Sequence, residues 1–417
     1  MDRLTNTVRP YSWGSRTAIP TLLGTPPSGE PQAELWMGAH PGAPSTLDRG
    51  DGPRPLDAVI AADPEHELGA AAVARFGPAL PFLLKLLAAG EPLSLQVHPN
   101  LDQARAGFAD EEARGIPLDA PQRTYKDANH KPELICALDD FTGLCGFRAP
   151  AGTALLLDSL GVPALAPLAD ILRSKPEPEA LREALTAILT EAPETIAATV
   201  LATTEALERA AERAAADPEG LGLPAELATA LGSYAAVGRI FPGDPGVIAA
   251  LLLNFVRLQP GEALYLGAGV PHAYLSGLGV EILANSDNVV RCGLTPKHVD
   301  VPELLRIVDF RSAEPGVLHP VPVPGSDGEE LYPTPIDEFR LSRYTLDGTA
   351  AVGRRIPGTA PQILLCTEGT AVLTAADASP VTLRRGESAY VSADTDDLRV
   401  TAADGAPGTV FRATVSL

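Results

Sequence analysis

The feature that most constrains this chain is a short alternation. Leu93, Leu95 and Val97 alternate with Ser94, Gln96 and His98, the period of a β-strand with one face in a core. Gln96 and His98 then project from the same face, two residues apart. The alternation opens a longer stretch that begins Pro92-Leu-Ser-Leu-Gln-Val-His-Pro-Asn100 and ends Tyr125-Lys-Asp-Ala-Asn-His-Lys-Pro-Glu133. An apolar run at 134–138 predicts a second strand directly after Glu133. A Gln and a His side by side, with a Glu near them, are donors of the kind that hold a divalent metal. The same residues also describe a strand with a polar face followed by a charged loop. Residues 101–123 lie between the two halves and read as a helix around 102–108 and a Pro-punctuated loop, able to fold over the strand pair.

The rest of the chain divides by texture. Both tryptophans, Trp13 and Trp36, fall in the first fifty residues and read as packing anchors, with His40 as a structural hydrogen-bonder. Residues 56–60 and 67–76 read as helical. Residues 80–88 read as an apolar strand with Lys85 in its middle, either snorkelling or facing a site. Residues 150–235 are dominated by Ala, Leu and Glu at helical spacing (179–190, 194–215, 226–234). Pro163, Pro176, Pro193 and Pro218 punctuate them. Nothing in this block has ligand chemistry, and it reads as a helical insertion. Strand texture returns at 258–274, where a tight turn at 267–269 sets His272 and Tyr274 two apart on the next strand. A short helix follows at 304–308. From 339 onward the pattern is of short strands at 340–346, 362–373, 381–390 and 398–416, with turns at 368–369, 385–386 and 404–405, as in a sandwich or barrel.

Composition narrows the function. A net charge of −21 argues against nucleic acid or an anionic membrane as a partner. Four scattered cysteines without a CxxC pair predict a reduced, cytoplasmic protein. Residues 1–6 lack the apolar core of a signal peptide, and the longest apolar run, 247–253, is too short to span a bilayer. Of 32 basic residues five are lysines, and Lys85, Lys126, Lys131 and Lys297 lie in or beside the segments singled out on other grounds. Lysine is a compact ammonium whose pKa responds to burial, which arginine's does not, so this points to an anion-handling site.

The turn Gly267-Ala-Gly-Val-Pro-His272 before a strand, joined to His98 on another strand and to Glu133, has the sequence shape of a cupin, a small jelly roll with its metal inside the barrel mouth. His272 completes a set with Gln96, His98 and Glu133. A shell of two His, one Glu and one Gln without thiolate suits Zn²⁺ and leaves Fe²⁺ or Mn²⁺ open. The predicted fold is therefore mainly β with a helical insertion. Residues 1–149 and 246–312 form the two parts of a metal-binding catalytic cupin, 150–245 the α-helical insertion, and 313–417 a C-terminal cupin-like domain without metal ligands.

These motifs, with Tyr11-Ser-Trp-Gly14, Ala33-Glu-Leu-Trp-Met-Gly-Ala-His-Pro41 and Ser286-Asp-Asn-Val-Val-Arg-Cys-Gly-Leu-Thr-Pro-Lys297, occur in the order found in the type I phosphomannose isomerases, which the chain resembles over nearly its whole length. The resemblance implies one Zn²⁺ per chain held by Gln96, His98, Glu133 and His272, with Arg291 as catalytic arginine. The implied reaction interconverts mannose 6-phosphate and fructose 6-phosphate, supplying mannose phosphates for mannose-nucleotide synthesis or feeding mannose into glycolysis. It also implies a monomer. Moving a proton between C2 and C1 through a cis-enediol needs a general base. Lys131, His130, Glu281 and Asp287 are the candidates, Lys131 foremost because it lies two residues from Glu133. Ser94, Lys297, Tyr274, Glu281 and Asp287 are expected to contact substrate, with Lys85 a further phosphate candidate. A cupin oxygenase with Fe²⁺ and a non-catalytic sugar-binding cupin are the rival readings.

Overall fold

A computed structural model describes residues 1–217, 220–348, 353–376 and 378–417; Pro218 lies outside them. The chain is mostly β-sheet with helices, and every ladder between strands is antiparallel. The sheet that carries the functional side chains has eleven strands. Its central path runs Val317–Leu318, Ala263–Leu266, Glu133–Ala137, His272–Ala284, Phe82–Ala89, Glu34–Met37 and Thr7–Arg9. Leu95–Val97, Phe141–Phe147, Leu253–Leu258 and Val290–Gly293 join it off that path.

One strand organises this sheet. His272–Ala284 pairs at its start with Leu95–Val97 and Phe141–Phe147, and along its second half with Phe82–Ala89 and Glu133–Ala137. Its register slips by one residue between Tyr274 and Ser276. A bulge of one residue exchanges the two faces of a strand. The odd-numbered Gly277, Glu281 and Leu283 therefore continue the face that His272 and Tyr274 begin. Gly277 takes up the bend at φ 121°, and a Cβ there would meet Phe141 at 2.7 Å, so a side chain is excluded twice over.

Sequence-predicted elements recur with shifted ends. The helix expected at 102–108 is Leu101–Ala113, started by an Asn100 capping box in which Asn100 and Gln103 satisfy each other's backbone N–H. Its Gly107 lets Tyr125 pack directly on the helix, since a Cβ would lie 2.2 Å from the ring. The runs at 362–373, 381–390 and 398–416 are each split by their Gly-containing turns into two strands. The helical block comprises Pro150–Leu160, Ala166–Ser174, Glu177–Thr190, Pro193–Ala216 and Ala225–Ile240. Pro193 occupies a first-turn position where no N–H is required.

The three largest cores among the described residues hold the layers together. The helices pack on Leu144, Phe147, Ala273, Leu275 and Val290 at one end of the large sheet. Leu84, Leu86, Val280 and Ile282, behind the functional face, share a core with Tyr332, Leu341, Ile363 and Phe411 of a seven-stranded C-terminal sheet. That sheet closes a third core with a four-stranded one through Leu364, Leu373, Val400 and Val410. A buried Glu329–Arg412 ion pair at 2.9 Å, joined by Ser342 and Gln362, is the polar interior of the C-terminal part.

Candidate metal centre and its charged surroundings

Strand register brings the candidate residues into two rows. His272 lies opposite Gln96, and Gln96 opposite Arg291. Beyond the bulge, Glu281 lies opposite Lys85, and Lys85 opposite Trp36. Glu133 enters beside them, opposite Leu283. The strand around Gln96 is shorter than its alternation predicts, Leu95–Val97, so His98 follows its end, yet both side chains still reach His272. Gln96 Nε2 is 3.3 Å from His272 Nε2, and the two imidazole rings are 5.1 Å apart.

His98, Glu133 and His272 converge fully buried, with ligating atoms all within 4.8 Å of one another. Among the described residues this is the single cluster of three or more such groups. Each imidazole is held from behind. His98 Nδ1 donates to the Asn288 carbonyl at 2.8 Å and His272 Nδ1 to the Val270 carbonyl at 2.9 Å. A carbonyl only accepts, so both rings carry a proton on Nδ1 and turn Nε2 inward, the nitrogen a neutral imidazole offers to a metal. Glu133 Oε2 lies 3.4 Å from both Nε2 atoms, but neither His98 Nε2 nor Glu133 Oε2 has a hydrogen-bond partner. Buried acceptors aimed at one point and left unpaired are costly unless a cation stands between them. Tetrahedral ligands about 2.0–2.1 Å from an ion are spaced about 3.4 Å apart, so the donor set fits a zinc-sized ion. A half-turn of the Gln96 amide would present Oε1 to the same point as a fourth donor.

Charge around the cluster is arranged in pairs. Burial pushes the His98 pKa down to about 4, and nearby Lys131 adds to the effect against the opposing pull of Glu133; the ring is neutral at pH 7, as a ligand must be. Burial pushes Glu133 up, but Lys131, His98 and His272 together hold it well below the usual carboxylate range. Lys131 Nζ sits 2.9 Å from Glu133 Oε1, the oxygen turned away from the histidines. Next along the sheet, Lys85 Nζ lies 3.3 Å from both Glu34 and Glu281 and 5.3 Å from the centre of the Trp36 ring. Burial would discharge this lysine, yet Glu34, Glu281 and Glu133 outweigh it and raise its pKa. Burial lifts Glu281 to about 6, assisted by Glu133 and Glu34 against Lys85 and Lys131. The Tyr274 hydroxyl is buried and without a hydrogen-bond partner; burial first, then the charge of Glu281, holds it in the neutral form.

The remaining candidates separate. His130 Nε2 is 2.6 Å from Glu338 in the C-terminal part, turned to that carboxylate. Asp287 is more than half exposed and pairs with His40 at 3.4 Å, which first of all lowers its pKa. His40 itself packs edge-on against Trp36 and accepts the Gly42 N–H, the structural part expected of it. Arg291 is half-buried, and no carboxylate pairs with it among the described residues; burial lowers its pKa. Lys126 is depressed by burial and then by Arg123 and Arg291. Ser94 is half-buried and Lys297 exposed; no hydrogen bond or ion pair joins either side chain to the cluster. Glu34, which links Lys85 to the Trp36 indole N–H at 2.6 Å, was not singled out from sequence, although its two-residue spacing from Trp36 placed both on one strand face.

Fold and site together define an antiparallel β protein with a buried His₂–Glu cluster that can hold a metal ion, flanked by paired lysines and carboxylates. The family description "phosphomannose isomerase type I, catalytic domain" matches residues 1–150. Mannose-6-phosphate isomerase of Salmonella typhimurium is 40% identical over 397 residues, covering 94% of this chain and 95% of that one. The human enzyme of the same name is 32% identical over 408 residues, with 93% and 92% covered. The chain belongs to the type I phosphomannose isomerase family. A mannose 6-phosphate isomerase crystallised with zinc and yttrium superposes with a TM-score of 0.86 at 37% identity, each chain fully covered. So does the Salmonella typhimurium enzyme bound to fructose 6-phosphate and zinc, with the same values.

Proposed function

We propose that this chain is a zinc-dependent aldose–ketose isomerase that interconverts mannose 6-phosphate and fructose 6-phosphate through a cis-enediol. The observation that carries the reading is the convergence of unpaired His98 Nε2 and Glu133 Oε2 with His272 Nε2 on one point, in a chain whose relatives bear that enzyme's name. Gln96, His98, Glu133 and His272 would hold one Zn²⁺, which supplies a Lewis acid for the sugar oxygens on the reacting carbons.

The chain's own residues do the rest. Lys131 and Glu281 are the favoured bases because their own partners, Glu133 and Lys85, belong to the cluster and its charged row, whereas His130 turns to Glu338 and Asp287 is more than half exposed beside His40. A carboxyl near pKa 6 can take and return a proton at neutral pH. Lys131, fixed on Glu133, is the alternative carrier. Arg291, a half-buried cation that pairs with no carboxylate among the described residues, would steady enediolate or phosphate charge as a fixed cationic donor fork. Lys126 extends that positive patch; Ser94, Lys297, Tyr274 and Asp287 remain the proposed substrate contacts. Under this reading residues 1–149 and 246–312 form the catalytic cupin around the helical insertion 150–245, and 313–417 a cupin-like lobe. The enzyme is then a cytoplasmic monomer, in keeping with its four unpaired cysteines.

The test is to incubate the protein with mannose 6-phosphate in D₂O, with and without a chelator, and follow fructose 6-phosphate. Chelator-sensitive product with deuterium at C1 is expected. Product without deuterium would leave the isomerase standing and point to a shielded proton or a hydride shift, and no product at all would favour a sugar-binding cupin.

A further inference from the structure

Asn288 carries no obvious chemistry in the sequence, yet it is almost completely buried and touches both loops that bring ligands to the metal centre. Its carbonyl is the acceptor that fixes His98 through Nδ1. Its side chain faces the segment 126–129. Oδ1 accepts the Lys126 N–H at 2.7 Å and the Asp127 N–H at 3.3 Å, while Nδ2 donates to the Asp127 and Asn129 carbonyls, each at 2.8 Å. Its neighbours extend the grip. Ser286 Oγ donates to Asp127 Oδ1 at 2.9 Å, and the Asp287 N–H to Asp127 Oδ2 at 2.9 Å. The segment so clamped has no strand or helix of its own and leads directly to Lys131 and Glu133. One residue therefore sets the plane and tautomer of His98 with its main chain, and the approach of Glu133 with its side chain.

We propose that Asn288 is a positioning residue of the metal centre, coupling the His98 and Glu133 ligands so that their lone pairs meet at one point. The inference rests on the metal reading above. Truncating the side chain leaves the Lys126 and Asp127 N–H groups and the Asp127 carbonyl without these partners, leaves the Asn129 carbonyl to Ser286 Oγ at 3.2 Å, and frees the Glu133 loop relative to His98. Partners that orient ligands in this way typically govern about 10–100-fold in metal affinity.

The experiment uses the full chain as wild type, Asn288→Ala and Asn288→Asp. The aspartate keeps the acceptor for Lys126, loses both donors and sets a like charge beside Asp127. Zn²⁺ affinity is measured by competition with a chromophoric chelator, the ligand field by the visible spectrum of the Co²⁺-loaded protein, and the fold by thermal unfolding of the metal-free form. Both variants are expected to bind Zn²⁺ at least tenfold more weakly and to shift the Co²⁺ bands. A merely structural asparagine would lower the unfolding temperature and leave affinity and spectrum in place. A loss of less than tenfold in either variant that folds, with wild type binding tightly, overturns this inference alone. Wild type that takes up no Zn²⁺ overturns the metal reading and this inference with it.

Discussion

Lys85 offers the sharpest test of the electrostatics. Replacing it by Met keeps most of its volume and removes the cation between Glu34 and Glu281. At 3.3 Å to each carboxylate and an effective dielectric of about 20, each pair contributes about 5 kcal/mol before the desolvation of either partner is counted. Much of that is offset by desolvation, and breaking a buried pair by removing one partner costs about 3–5 kcal/mol in practice. The stranded Glu281 has an escape, because it can take up a proton. From its ordinary pKa of 4.5, protonation costs about 5 kcal/mol at pH 8 but under about 1 kcal/mol at pH 5, at about 1.4 kcal/mol per pH unit. The sign follows from the direction of the shift. A folded pKa near 6, above 4.5, means stability is fullest below 4.5 and is lost as pH rises through 6. In Lys85→Met the folded pKa climbs further and the loss extends to higher pH. Urea unfolding of the metal-free protein should thus show a deficit of about 3–5 kcal/mol at pH 8 that shrinks to about 1–2 kcal/mol at pH 5. Tryptophan fluorescence is a suitable probe, since Trp36 lies against Lys85. A deficit below about 1 kcal/mol at pH 8, or an equal one at both pH values, would refute the argument.

Other perturbations separate the roles. Arg291→Ala should lower kcat by about 100–1000-fold while zinc content stays at one per chain; unchanged turnover would remove Arg291 from the reaction. His272→Ala should lower bound zinc and activity together, read by elemental analysis, and full zinc occupancy would show the ligand set to be wrong. Chelation should abolish activity reversibly and leave near-native circular dichroism, because Glu133 keeps Lys131 at 2.9 Å; irreversible unfolding would contradict this. Glu338→Ala should cost roughly 3–10-fold in kcat through the loosened His130 loop with zinc retained. No change would mean that the C-terminal contact does not reach the site.

Much of this was legible in the chain because its signals are local. A period of two reports a strand whatever it pairs with, so Gln96 and His98 could be set on one side. Helical spacing and proline punctuation likewise marked the block from 150 to 235. The ends were less legible. His98 looked like part of its strand, but the strand stops at Val97, before Pro99, which has no N–H to give a ladder.

The sequence by itself determined which residue types could meet a metal, and that the lysines clustered near them. Only the tertiary structure decided the partners, because pairing across strands depends on register and register is a property of two segments at once. The one-residue bulge after Tyr274 turns Glu281 to the side of His272, which period counting along an unbroken strand would deny. Folding likewise gave Lys85 to Glu34 and Glu281, His130 to Glu338 and Asp287 to His40. Each of these contacts joins residues far apart in the chain, where no local pattern carries the information.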